Sequence, residues 1–142
     1  MIIARVIDAR NGEIHHAGPD DSVRSATACL SDKRIGALPV MDGDKVIGIF
    51  SERDVIYGLA RHGANLLDMP LRDVMTSEPV TVTPDTPIIS ALSLITRRRI
   101  RHLPVCIGDK LVGFVSIGDL VKSRIDAIEA EANAMRDYIQ TA

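Results

Sequence analysis

Hydrophobic positions along this chain change period several times, and each change marks an element. In PDTPIISALSLITRRR, residues 84–99, Ile88, Leu92 and Ile95 fall at i, i+4 and i+7, one face of an amphipathic helix, with Thr86 predicted to cap it and Pro87 to take its first position. Upstream, Val23, Ala26, Thr27 and Leu30 draw a similar stripe behind Asp21 or Ser22. Each stripe gives way to a short apolar run (37–41 or 102–107), a Gly-Asp turn and a second run (46–50 or 111–115), the pattern of strand, hairpin turn and strand. A further helix is predicted after each second run, over 54–61 and from 119 onward. PVTVTP supplies a short extended piece before one stripe, and EIHHAGP a weaker counterpart before the other. The unit reads strand, helix, strand, strand, helix.

That unit is written twice. Shifting the sequence by 65 aligns 19–56 with 84–121 without a gap, and 15 of the 38 pairs are identical. Ordinary composition would give about two or three. The matches include Leu38-Pro39-Val40 with Leu103-Pro104-Val105, the Gly-Asp-Lys turns, and the Gly, Ser and Asp of GIFSERD and GFVSIGD. A unit of ~60 residues buries little surface alone, so the copies are expected to pack face to face. The predicted divisions are 1–61, a linker at 62–70 with Gly63 ending a helix, 71–122, and a terminal helix over 123–142. In that helix Val121, Ile125, Ile128, Ala132, Met135 and Ile139 alternate spacings of 4 and 3, a coiled-coil-like seam. It must pack on its own module or on a second copy, and the pattern leaves both open.

Composition narrows the function. The chain has 142 residues, 46% of them hydrophobic, yet no Trp, two Phe and two Tyr, so the core is aliphatic. A net charge of −2 supplies no general field for a polyanion, and RRRIRH lacks interleaved aromatics, so nucleic acid is not the expected partner. Arg97, Arg98 and Arg99 read as a solvated helix end. Cys29 and Cys106 form no C-x-x-C pair, no run approaches ~20 apolar residues, and the start lacks a signal-peptide apolar core, so a soluble, cytoplasmic protein is expected. There is no H-E-x-x-H, P-loop or G-x-S-x-G. An enzyme using Asp54 or Asp119 as base with His102 would lack a nucleophile, a metal set or a paired acid, so no catalytic residue is assigned.

The ordered set RIGALPV and RIRHLPV, the Gly-Asp turns, GIFSERD and GFVSIGD, with DVMT at 73–76 opening the second copy, resembles a tandem pair of cystathionine-beta-synthase-type (CBS) domains, or Bateman module. The likeness spans about residues 6–122. VIDARN stands where a first DVMT would, so a looser opening strand and a less complete pocket wall are expected there. The resemblance implies an α/β (α+β) CBS-domain pair related by a pseudo-twofold axis. It implies two clefts, each built from both repeats, that bind an adenosine compound such as AMP, ATP, NAD or S-adenosylmethionine without turning it over. It further implies a homodimer.

The resemblance assigns Asp54 and Asp119 to ribose, whose vicinal diol an ionised carboxylate accepts with charge-assisted strength, and Ser51 and Ser116 to ribose or phosphate beside a helix N-terminus. Gly48 and Gly113 permit close approach of backbone or ligand. One cleft is expected to join Ser116 and Asp119 to an adenine pocket of Ala17, Gly18, Ile35, Gly36 and Ala37; the other joins Ser51 and Asp54 to Val82, Thr83 and Ile100, with Arg53, Arg101 and His102 toward phosphate. Gly36-Ala37 stand opposite Arg101-His102, and Gly118 opposite Arg53, so the sites should be unequal. The rival reading of S-x-x-D is a helix cap, and both roles can coexist. The expected protein senses energy or redox state for a separate, unidentified effector; the alternatives are a scaffold with vestigial pockets or an enzyme.

Overall fold

The computed structural model of the chain describes residues 1–10 and 12–141. Two β-hairpins form its centre. β1 (Ala37–Asp42) pairs antiparallel with β2 (Lys45–Ser51), and β4 (His102–Ile107) with β5 (Lys110–Ser116), each with a bulge after its Leu-Pro-Val. Gly43 and Gly108 open the two-residue loops at φ +64° and +59°, which side chains other than glycine rarely adopt. Helices α2 (Val23–Lys33) and α4 (Ile88–Arg98) precede the hairpins; α3 (Glu52–His62) and α5 (Ile117–Thr141) follow them. The α/β class and the duplicated order match the pattern reading.

Both stripes face the core: Val23, Ala26 and Leu30 from α2, Ile88, Ala91 and Ile95 from α4, with Leu92 at the rim. Ser22 caps α2, accepting the Ser25 N–H at 3.1 Å. Thr86 does not cap α4. Its duplicate position to Ser22 is filled by Pro87, whose extended ψ of 140° makes it the N-cap residue with no hydroxyl to offer. The Thr86 hydroxyl instead accepts the Thr83 N–H at 3.1 Å and closes the preceding turn.

The pieces before these helices shrink to single parallel bridges. Ala17 bridges Val40 and Val82 bridges Val105, with matched bonds: Ala17 N–H to Pro39 O at 3.1 Å and Met41 N–H to Ala17 O at 2.8 Å, Val82 N–H to Pro104 O at 3.0 Å and Cys106 N–H to Val82 O at 2.8 Å. The first copy's opening is therefore no looser than the second's.

The segments leading into the copies are exchanged. VIDARN is helical through Arg10, in α1 (Ile3–Arg10), and its Asn11 lies outside the described residues. This helix packs on the second copy: Ile3 N–H bonds Thr86 O and Ala4 N–H bonds Pro84 O, both at 2.9 Å. DVMT packs on the first. Leu71 N–H bonds Asp21 O at 2.9 Å, Arg72 N–H bonds Pro19 O at 3.0 Å, and β3 (Thr76–Ser77) pairs with β2. Ile3 and Val6 thus lie in the core of Ile88, Leu103 and Leu120, while Leu66 and Leu71 lie in that of Val23, Leu38 and Phe50. Gly63 does end α3, at φ +61°, but residues 63–68 form a 3-10 turn whose Leu66 is fully buried, so the expected linker is a packed wedge.

At its start α5 turns Leu120, Ser123 and Ala127 toward the module, and the Ser123 hydroxyl contacts Met1 Sδ at 3.1 Å. Val121, Ile125, Ile128, Met135 and Ile139 are 41–68% exposed. The seam lies on the far side of the helix from its own module, which removes the fold-back arrangement.

Candidate functional site

Each S-x-x-D sits where a hairpin's second strand becomes a helix. Ser51 and Ser116 are the last strand residues, and Asp54 and Asp119 stand in the first helical turn. Asp119 Oδ2 accepts the Ser116 N–H at 2.8 Å while Ser116 Oγ accepts the Asp119 N–H at 3.1 Å, a reciprocal capping box. Asp54 Oδ2 accepts the Ser51 N–H at 2.9 Å and the Ser51 hydroxyl at 3.3 Å, and Oδ1 accepts the Thr76 hydroxyl at 3.3 Å. Burial raises the Asp54 pKa, and these bonds from Ser51 and Thr76 only partly offset it. The capping role is thus realised in both copies.

Around these corners two clefts open between the copies. The Asp119 cleft, about 360 Å³, takes Ser116 and Asp119 from the second copy and Arg34, Ile35, Gly36 and Ala37 from the first. The Asp54 cleft, about 570 Å³, takes Ser51, Arg53 and Asp54 from the first and Arg99, Ile100 and Arg101 from the second. Gly36 and His102 line both, so His102 stands on a shared wall, its ring stacked on Phe114 with centroids 5.5 Å apart and planes at 10°.

Four of the expected pocket residues do not line the clefts. Ala17 and Val82 are buried and spend their backbones on the parallel bridges; Gly18 closes a turn onto Asp21, and Thr83 one onto Thr86. Residues 13–15 and 78–80 form the walls instead. One signal for them was present: Glu13 and Glu78 are an identical pair at the same 65-residue spacing.

A second missed pair is Arg34 and Arg99. Each follows a helix in the left-handed conformation, φ +53°, where glycine is the usual occupant, and each lines a cleft. Holding a side chain there costs about 1 kcal/mol or more. The copies differ in their cations: the Asp54 cleft gathers Arg53, Arg99 and Arg101 beside Glu52, Asp54 and Glu78, the Asp119 cleft Arg34 beside Glu13 and Asp119. Arg53 also donates to the Arg99 carbonyl at 3.1 Å, tying the copies together on that side. Among the described residues no group of three or more His, Cys, Asp or Glu could hold a metal ion, and no helix is long and apolar enough to cross a membrane.

A family model for the CBS domain matches this chain twice, over residues 7–61 and 71–126. The chain belongs to the CBS-domain family. As a CBS pair it is 34% identical over 126 residues to the CBS domain-containing protein CBSX3, mitochondrial, of Arabidopsis thaliana, covering 85% of this chain and 61% of the plant protein's length. Among solved structures it resembles the CBS-domain containing protein ATU1752 from Agrobacterium tumefaciens, at 33% identity and a TM-score of 0.83, over 87% of this chain and 99% of that one. It also resembles CBSX2 crystallised in complex with AMP, at 27% identity and a TM-score of 0.71, over 80% of this chain and 89% of that one. In this CBS pair the first matched range begins inside the exchanged lead-in helix, at Ile7, which packs on Gly113 of the second copy.

Proposed function

We propose that this CBS pair is a regulatory module that binds adenosine compounds in its two clefts, without catalysis, and reports their occupancy to a separate protein. The observation that carries the reading is the repeated corner of Ser, Asp and left-handed Arg facing an apolar slot: Ser116, Asp119 and Arg34 beside Ile35 and Ala37, and Ser51, Asp54 and Arg99 beside Ile100. Both copies keep an arginine where glycine would relieve the backbone, which a phosphate ligand explains and a bare cap does not. The AMP complex of the similar CBSX2 supports the ligand class.

In this reading Asp54 and Asp119 accept the ribose diol with carboxylate lone pairs additional to those that hold Ser51 and Ser116. Arg53, Arg99 and Arg101 fit a ligand rich in phosphate, such as ATP or NAD; Arg34 alone fits AMP or S-adenosylmethionine. The module works as a cytoplasmic homodimer sensing energy or redox state. Signalling requires that ligand prefer one packing of the copies over another, and the tie from Arg53 to the Arg99 carbonyl is the contact an entering phosphate would contest. A thermal-shift panel with AMP, ADP, ATP, NAD, NADH and S-adenosylmethionine tests this. A ligand at 100 times its Kd adds about 2.7 kcal/mol of stability. No shift with any of them supports the second reading, a scaffold with vestigial pockets, which the completed caps favour.

A further inference from the structure

The exposed seam of α5 determines what covers it and in which direction. Its spacings place Ile125, Ala132 and Ile139 at heptad position a and Val121, Ile128 and Met135 at d. From Val121 to Ile139 the seam runs about 28 Å, at 1.5 Å per residue. Leu120, Ser123 and Ala127 occupy the opposite side against the module, so the seam is bare along its whole length. By the same register Arg124 and Glu131 take position g, and Glu129 and Arg136 position e, flanking the apolar stripe.

These charges select one partner and one orientation. In a parallel pair, g faces the e of the next heptad on the other strand. Arg124 then meets the partner's Glu129, and Glu131 meets the partner's Arg136, each twice by symmetry, so every charged pair is attractive. Lys122, whose g counterpart would be the apolar Ile117, is bonded within its own helix to Asp126 at 2.9 Å. An antiparallel pair with the seam fully overlapped sets e against e and g against g. Glu129 would then face Glu129, Glu131 face Glu131, and Lys122 face Arg136. Sliding that pair one heptad toward the module relieves the charges but drives residues beyond Met135 past Ile117, where α5 leaves β5.

We infer that α5 joins two copies of this chain as a parallel two-stranded coiled coil, holding both modules at the same end of the stalk. The inference is independent of what the clefts hold. Light scattering on the full chain, separated by size, reads it: a dimer at micromolar concentration, and a monomer for Ile128→Asp with a melting temperature within about 2 °C of wild type, since Ile128 is half exposed and touches no core. Arg124→Glu and Glu129→Arg should each weaken the dimer about tenfold, and the double variant should return to within about threefold of wild type. A monomeric or trimeric wild type, or an Ile128→Asp variant that stays dimeric, overturns the coil. A double variant weaker than either single one overturns the parallel orientation, because in the slipped antiparallel pair Arg124 faces Glu131 and Glu129 faces Lys122.

Discussion

The Asp54 and Asp119 clefts descend from one sequence, and what separates them is charge and what closes over the strand behind. The Asp54 cleft collects three arginines and lies beside β3, whose backbone covers β2 at Gly48. The Asp119 cleft has one arginine, and the side chain of Ile7 closes over Gly113. Duplication preserved the corner that both caps a helix and faces the cleft. Divergence acted on the neighbouring positions, which can change without unfolding either helix start.

The largest difference should appear in stability. A Cβ on Gly48 would lie 2.9 Å from Met75 Cγ and 3.0 Å from the Thr76 carbonyl oxygen, whereas one on Gly113 would meet only the Ile7 side chain, at 2.7 Å from Cδ1. A side chain can turn aside; a paired backbone cannot. Gly48→Ala is therefore expected to cost about 2–3 kcal/mol in urea unfolding and Gly113→Ala about 1 kcal/mol. Equal costs would mean that the two lead-in segments close their strands alike.

Next in size is the charge contrast. Arg101→Ala should weaken ATP binding at the Asp54 cleft about tenfold or more, the worth of a charge-assisted bond, and leave the other cleft unchanged. Gly118→Arg adds to the Asp119 cleft the cation that Arg53 gives its twin, and a Cβ there meets only Ser116 Oγ at 3.6 Å. It should raise affinity for ATP over AMP at that cleft, as read by calorimetry.

Arg34→Gly and Arg99→Gly should move two properties in opposite directions. Each removes a left-handed side chain and should add about 0.5–1 kcal/mol of stability, while weakening nucleotide binding at its own cleft. A variant that gains stability and keeps full affinity would show that the arginine does not serve the ligand.

How far the sequence reveals this architecture depends on whether a feature is local. The Gly-Asp turns, the stripes of α2 and α4 and the Ser-Asp corners follow from residues a few positions apart. The exchange of lead-in segments does not, because MIIARV and MPLRDV occupy corresponding places at a spacing of 68 and not 65, and no local pattern says which copy a segment will cover. The same blindness put Ala17, Gly18, Val82 and Thr83 in the pockets: alternation marks Ala17 and Val82 as extended, but only the parallel bridge turns them into the core and leaves residues 13–15 and 78–80 as walls.

The smallest effect concerns acid. Burial raises the Asp54 pKa above its ordinary 3.8, so the folded protein takes up that proton at higher pH than the unfolded chain. Its contribution to stability is then fully present below the unfolded value and is lost as pH rises through the folded value. Asp54→Asn should abolish this slope in urea unfolding measured upward from about pH 3.5. A slope that survives the substitution belongs to another group.

The central claim is two unequal nucleotide sites built on one repeated corner. Isothermal titration of ATP and AMP into the wild type, Asp54→Ala and Asp119→Ala measures it directly. Two resolvable events are predicted in the wild type, with the ATP-preferring one lost in Asp54→Ala and the AMP-preferring one in Asp119→Ala. A single event reduced equally by both substitutions, or heats unchanged by either while stability falls, would contradict it.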